Sequence, residues 1–87
     1  MPEISRFLGV AIRMQFREHG VPHFHAIYND YAMVIQIMPL KILKSGRMPE
    51  RVKGLIMEWA ALHQDELLKN WERCQNGENP KKLKPLV

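Results

Sequence analysis

One cysteine, Cys74, in a chain of 87 residues leaves no route to an internal disulfide and excludes a zinc site built on several thiolates. A reducing, cytoplasmic setting fits that economy. Long apolar runs are also missing: the longest uncharged stretch, Tyr31 to Leu40, falls far short of the roughly 20 residues that a membrane-spanning helix needs. The first residues, Met-Pro-Glu-Ile-Ser-Arg, contain no apolar leader segment, so neither export nor anchoring is expected. Repeats, low-complexity tracts and long blocks of one charge are absent as well. What remains is an apolar content of 46% in a length suited to one small domain, residues 1–87. Thirteen Lys and Arg against nine Asp and Glu give a net charge of +4, which favours anionic partners.

The periodicity changes once, near residue 45, and reads as sheet followed by helix. Leu8, Val10, Ile12, Met14 and Phe16 alternate with Gly9, Ala11, Arg13, Gln15 and Arg17, the period of a half-buried strand. Glu18 to Pro22 supplies Gly and Pro for a connection, His23 to Tyr28 forms a second strand, and Asn29-Asp30 turns into a third over Ala32 to Met38. Pro39 confines a fourth short strand, Leu40 to Leu43, to an edge. Strands thus occupy roughly 7–43. One long helix over roughly 49–76 follows, opened by Pro49 and Glu50 and closed by Gly77. Its apolar stripe runs through Val52, Leu55, Ile56, Trp59, Leu62, His63, Leu67 and Trp71. A helix about 42 Å long would overhang strands of about 23 Å, which makes the end bearing Trp71 a candidate homodimer contact unless a break near Gln64-Asp65 folds it back. Residues 78–87 read as a basic tail with apolar hooks. The expected class is α+β: an antiparallel sheet of three to four strands packed against one long C-terminal helix.

Common phasing of the strands sends Val10, Ile12, Phe24, Ala26, Tyr28, Met33, Ile35 and Ile37 toward the helix, and Arg13, Arg17, His23, His25 and Gln36 to the other face. His23 and His25 are the candidate catalytic residues. Three readings of the pair compete. They are polar strand residues; or, with His19, Glu18 or Asp30 as a third ligand, a zinc or iron site; or acid–base groups acting on RNA while Arg13 and Arg17 hold phosphate. Lys81 and Lys82 are further candidates for phosphate contact. His63 and Trp59 lie within the helical stripe and read first as packing residues, and Cys74 has no histidine near in sequence to activate it.

Several segments occur together: Ile4-Ser5-Arg6-Phe7, Ile12-Arg13-Met14, Pro22-His23-Phe24-His25, Met57-Glu58-Trp59-Ala60 followed by Leu62-His63, Glu66-Leu67-Leu68 with Asn70-Trp71, and Lys81-Lys82-Leu83-Lys84-Pro85-Leu86. In combination they resemble a small bacterial family catalogued as domain of unknown function 4160. Val21 departs from the Pro-Pro that the family's turn commonly carries. The resemblance implies a short bacterial protein encoded beside another small protein, an arrangement similar to toxin–antitoxin pairs, and it marks His23, His25, Trp59 and His63 as functional or structural positions. The favoured expectation is a toxin–antitoxin-like component that binds nucleic acid, with RNA as a target and no metal or other cofactor, acting as a metal-independent ribonuclease. The alternatives are a non-catalytic module for a small protein partner, with structural histidines, and a His-x-His metal site.

Overall fold

The computed structural model describes residues 1–87 and contains β1 (Glu3–Phe7), β2 (Val10–Arg13), β3 (His23–Tyr28), β4 (Tyr31–Gln36), β5 (Lys41–Lys44), α1 (Glu50–Leu62) and α2 (Gln64–Gln75). The α+β class holds, with five strands in place of three or four and two helices in place of one. The sheet is antiparallel throughout, in the order β1-β2-β3-β4-β5.

The additional strand arises because Leu8 and Gly9 both take positive φ, 49° and 83°, and close a two-residue turn that pairs Phe7 with Val10. The expected strand over Leu8 to Arg17 is therefore the turn, β2 and an irregular connection, with β1 an added strand ahead of it, and Leu8 sits exposed at the turn. Within β2, β3 and β4 the expected phasing holds, while Phe16 and Arg17 lie past the end of β2 and fall out of it. Ser5, Ile12, Ala26 and Met33 form one row across the sheet, and Phe24 and Ile35 another, on the face that the helices cover. Trp59 of α1 packs at a tilt on Phe7 and edge-on against Phe24 there, with ring centroids at 5.5 and 5.9 Å. Nineteen residues from both layers and the tail make one apolar core.

The helix is broken at His63, whose φ of −122° and ψ of 21° leave the helical region. Asp65 and Glu66 then stand in the first turn of α2, where the dipole favours them, and the Gln64 side chain donates to the Ile37 carbonyl at 2.7 Å. Folding back at this point brings Leu67, Asn70, Trp71 and Cys74 into the interior. Trp71 is only 7% exposed, so the overhanging indole expected to carry a dimer does not exist. α2 ends in a Schellman motif: Glu78 N–H donates to the Arg73 carbonyl and Gly77 N–H to that of Cys74, with Gly77 at φ 75°.

The C-terminal segment is fastened along its length rather than being a solvated arm. Leu83 N–H donates to Ile4 on the outer edge of β1, the Trp59 indole donates to the Lys84 carbonyl, and Leu83 enters the core. Asn70, fully buried, donates to the Lys81 carbonyl at 2.9 Å and accepts from the Lys81 N–H at 2.8 Å.

Candidate functional site at the start of the third strand

His23 and His25 are two apart on β3 and point to the same side, as strand geometry requires. Register decides their neighbours. Glu3, Arg13, His25, Val34 and Lys44 form one row across all five strands, and His23, Gln36 and Lys41 form the next. Arg6, opposite Ala11, lies on this face too. Arg6 is paired with Glu3 at 2.7 Å, whereas Arg13, Lys41 and Lys44 make no salt bridge.

The connection from β2 to β3 delivers a third group. Its path is fixed by positive φ at Arg17 (51°) and Gly20 (97°), by Arg17 N–H donating to the Cys74 carbonyl, and by the Gln75 side chain donating to the Glu18 carbonyl at 3.0 Å. These ties place the Glu18 carboxylate between the rings. Its Oε1 lies 3.1 Å from Nε2 of His23 and 3.1 Å from Nε2 of His25. Gln15, with its amide nitrogen turned toward the acceptors, donates to both carboxylate oxygens at 3.2 and 3.1 Å.

The Nδ1 hydrogen of His23 is fixed: Nδ1 is 2.7 Å from the Val21 carbonyl, which only accepts, so Nδ1 donates there, and Nε2 meets Glu18 with a lone pair when the ring is neutral and as a donor when the ring is protonated. Trp71 packs on this ring with centroids 5.1 Å apart, and the two imidazoles meet nearly edge-on at 5.3 Å. Burial by itself would raise the Glu18 carboxyl, but hydrogen bonds from His25 and His23 and their charge outweigh it and hold the group below its ordinary 4.5. The cluster is half-open, with side-chain exposures of 10% for His23, 21% for His25 and 24% for Glu18.

The other candidates separate from this cluster. Arg13 stands beside His25 on the sheet face, but Arg17 has left the strand and lays its guanidinium against Gly77, past the end of α2. Lys81 and Lys82 line a shallow cavity of about 230 Å³ with Glu66, Lys69, Arg73 and Leu83, and the Lys82 ammonium donates to the Glu3 carbonyl. Trp59 is a core residue, and His63 stacks on it at 4.9 Å while hydrogen-bonding Glu66. Burial pushes the Cys74 thiol up, which leaves it protonated and unreactive. Of the three potential third ligands, Glu18 joins the histidines and His19 and Asp30 do not. Of the residues that orient the cluster, Gln15 was legible on the histidine face by alternation with Arg13, whereas Val21 carried no signal and Trp71 read as part of the helical stripe, because the loop and the helix break bring them in.

A family model described as domain of unknown function (DUF4160) matches residues 9–72. The chain belongs to this family. The DUF4160 match spans Glu18, His23, His25 and Trp71, hence every side chain of the cluster and its aromatic cover. No curated protein and no solved structure is significantly similar to the chain.

Proposed function

We propose that this DUF4160 protein binds single-stranded nucleic acid, RNA in particular, along its uncovered sheet face and acts on it at the Glu18–His23–His25 cluster. The observation that carries this reading is the row in which Arg13 stands directly beside His25 with Lys44 at its far end, flanked by Lys41 in the next row. Lys41 and Lys44 have no acidic partner, and Arg13, though opposite Glu3, forms no ion pair with it because Glu3 is taken by Arg6; cations spaced across a sheet face in this way follow a phosphate backbone, and a guanidinium holds phosphate through two hydrogen bonds at once. The expected toxin–antitoxin-like role is compatible with such a surface.

The geometry also bears on how the cluster acts. Both nitrogens of His23 are engaged, Nδ1 with Val21 and Nε2 with Glu18, and Nε2 of His25 faces the same oxygen. A lone histidine serving as general base toward a 2′-hydroxyl would first have to leave Glu18, so the three groups act as a unit.

The test is binding of a labelled single-stranded RNA as a function of salt. Affinity should fall steeply as salt rises, and Arg13→Ala should weaken binding and reduce the slope of log K against log salt by about 0.7. Absence of binding at low salt, or a slope that Arg13→Ala leaves unchanged, rejects the proposal.

A second reading, a module for a small protein partner, is favoured by one observation. The outer edge of β1 is covered by the C-terminal segment, whereas β5 is an exposed edge carrying Ile42 and Leu43. An added strand would pair there. Under this reading Leu43→Pro abolishes capture of the neighbouring gene product while RNA affinity is unaffected.

A further inference from the structure

We infer that Glu18, His23 and His25 bind one divalent transition-metal ion of the zinc or ferrous class, through Glu18 Oε1 and the Nε2 atoms of both histidines. This inference is independent of RNA binding and names the cofactor of the same cluster.

Donor geometry is the first argument. Ligands held about 2.1 Å from a common ion lie about 3.0 Å apart at right angles and about 3.4 Å apart at tetrahedral angles. Two of the three edges here, from Glu18 Oε1 to each Nε2, are 3.1 Å. All three donor atoms lie within 4.8 Å of one another.

Electrostatics supplies the second argument. With Nδ1 of His23 donating to Val21, the neutral ring aims a lone pair at a carboxylate oxygen that is itself rich in lone pairs. Two acceptors at that separation repel unless a cation lies between them. A proton on Nε2 relieves the repulsion at His23, and His25 donates to the same oxygen as its Nε2–H tautomer; a metal ion takes the place of both hydrogens at once.

The surroundings are those of a ligand set held in place. The Val21 carbonyl fixes the His23 tautomer with Nε2 as donor atom, and Gln15 orients the Glu18 carboxylate. Both histidines stand on a paired strand, and Trp71 covers one ring. Two imidazoles and one carboxylate suit zinc or ferrous iron and leave coordination positions for water or substrate. The partial exposure of His25 and Glu18 keeps those positions reachable, on the side where Arg13 stands.

The experiment uses the full-length, untagged protein after chelator treatment and dialysis, without RNA. Zinc titrated by calorimetry and checked by elemental analysis should bind at one ion per chain. Cobalt(II) should bind in the same ratio, give a visible d–d spectrum and quench fluorescence from Trp71. His25→Ala and the near-isosteric Glu18→Gln should each weaken zinc binding by more than about 100-fold, and Gln15→Ala by about 10-fold or more. His19→Ala and His63→Ala should leave affinity and stoichiometry unchanged. Circular dichroism establishes that each variant is folded, and Glu18→Gln decides the matter if His25→Ala does not fold. Failure of the folded wild type to bind zinc, or binding that survives Glu18→Gln and disappears with His19→Ala or His63→Ala, overturns the inference. Arg13→Ala separates the two proposals: it should lose RNA affinity and keep zinc.

Discussion

A carboxylate lodged between two imidazole nitrogens ties the stability of the fold to pH in a definite direction. Glu18 is held below its ordinary 4.5, so the folded state binds its proton less readily than the unfolded chain does. The stabilisation is complete above the unfolded value and disappears as pH falls through the depressed folded value. In chelator-treated protein, urea denaturation should show wild-type stability dropping as pH falls below the ordinary carboxylate value of 4.5, with a shallower drop in Glu18→Gln. Equal slopes for the two proteins would mean that Glu18 does not couple to the rings. At this scale the sequence was half legible. His23 and His25 announce a shared face because residues two apart on a strand always share one. Glu18 does not, because its return to the rings depends on left-handed backbone at Arg17 and Gly20 and on anchors from α2, which no spacing rule conveys. For the same reason Arg17, placed beside Arg13 by simple alternation, lies instead against Gly77.

Where elements begin and end, the apolar pattern misled in two places, and in each the cause is a break that keeps phase. Leu8 continues the alternation of Val10 and Ile12 although it sits in a turn, and a register shift between Glu3 and Ser5 hides the period of β1. The stripe from Val52 to Trp71 likewise runs through His63, because α2 restarts with Leu67 and Trp71 still facing the core. The helix boundaries at Glu50 and Gly77 were legible, since charge and glycine mark them chemically. Two glycine substitutions test this account with opposite signs. Gly77 has φ 75°, and a Cβ there would stand 2.4 Å from the Arg17 guanidinium, so Gly77→Ala should destabilise by about 1–2 kcal/mol. Gly54 lies inside α1 with nothing within 4 Å of an added Cβ, so Gly54→Ala should stabilise by about 0.5–1 kcal/mol. Chemical denaturation midpoints measure both.

For the whole molecule the decisive feature is the asymmetry of the sheet's edges. A chain of this size has a small stability margin, and an unpaired edge invites association. The C-terminal segment closes the β1 edge through the bond from Leu83 to Ile4 and inserts Leu83, only 8% exposed, into the core. It also accepts the Trp59 indole hydrogen at the Lys84 carbonyl and satisfies the buried Asn70 through the backbone of Lys81. Ending the chain at Asn79 removes all of these at once and leaves two buried polar side chains without those partners. The loss should be at least about 3 kcal/mol, a large share of the roughly 5–15 kcal/mol that holds a small domain. Thermal unfolding should show a markedly lower midpoint, and light scattering should show association through the bared β1 edge. Replacing Lys82 and Lys84 by alanine keeps the backbone bonds and should lower the midpoint far less. A tail that served only as a mobile basic arm predicts the reverse, an unchanged midpoint on truncation with weaker RNA binding, and the two measurements together decide between a structural strap and an arm.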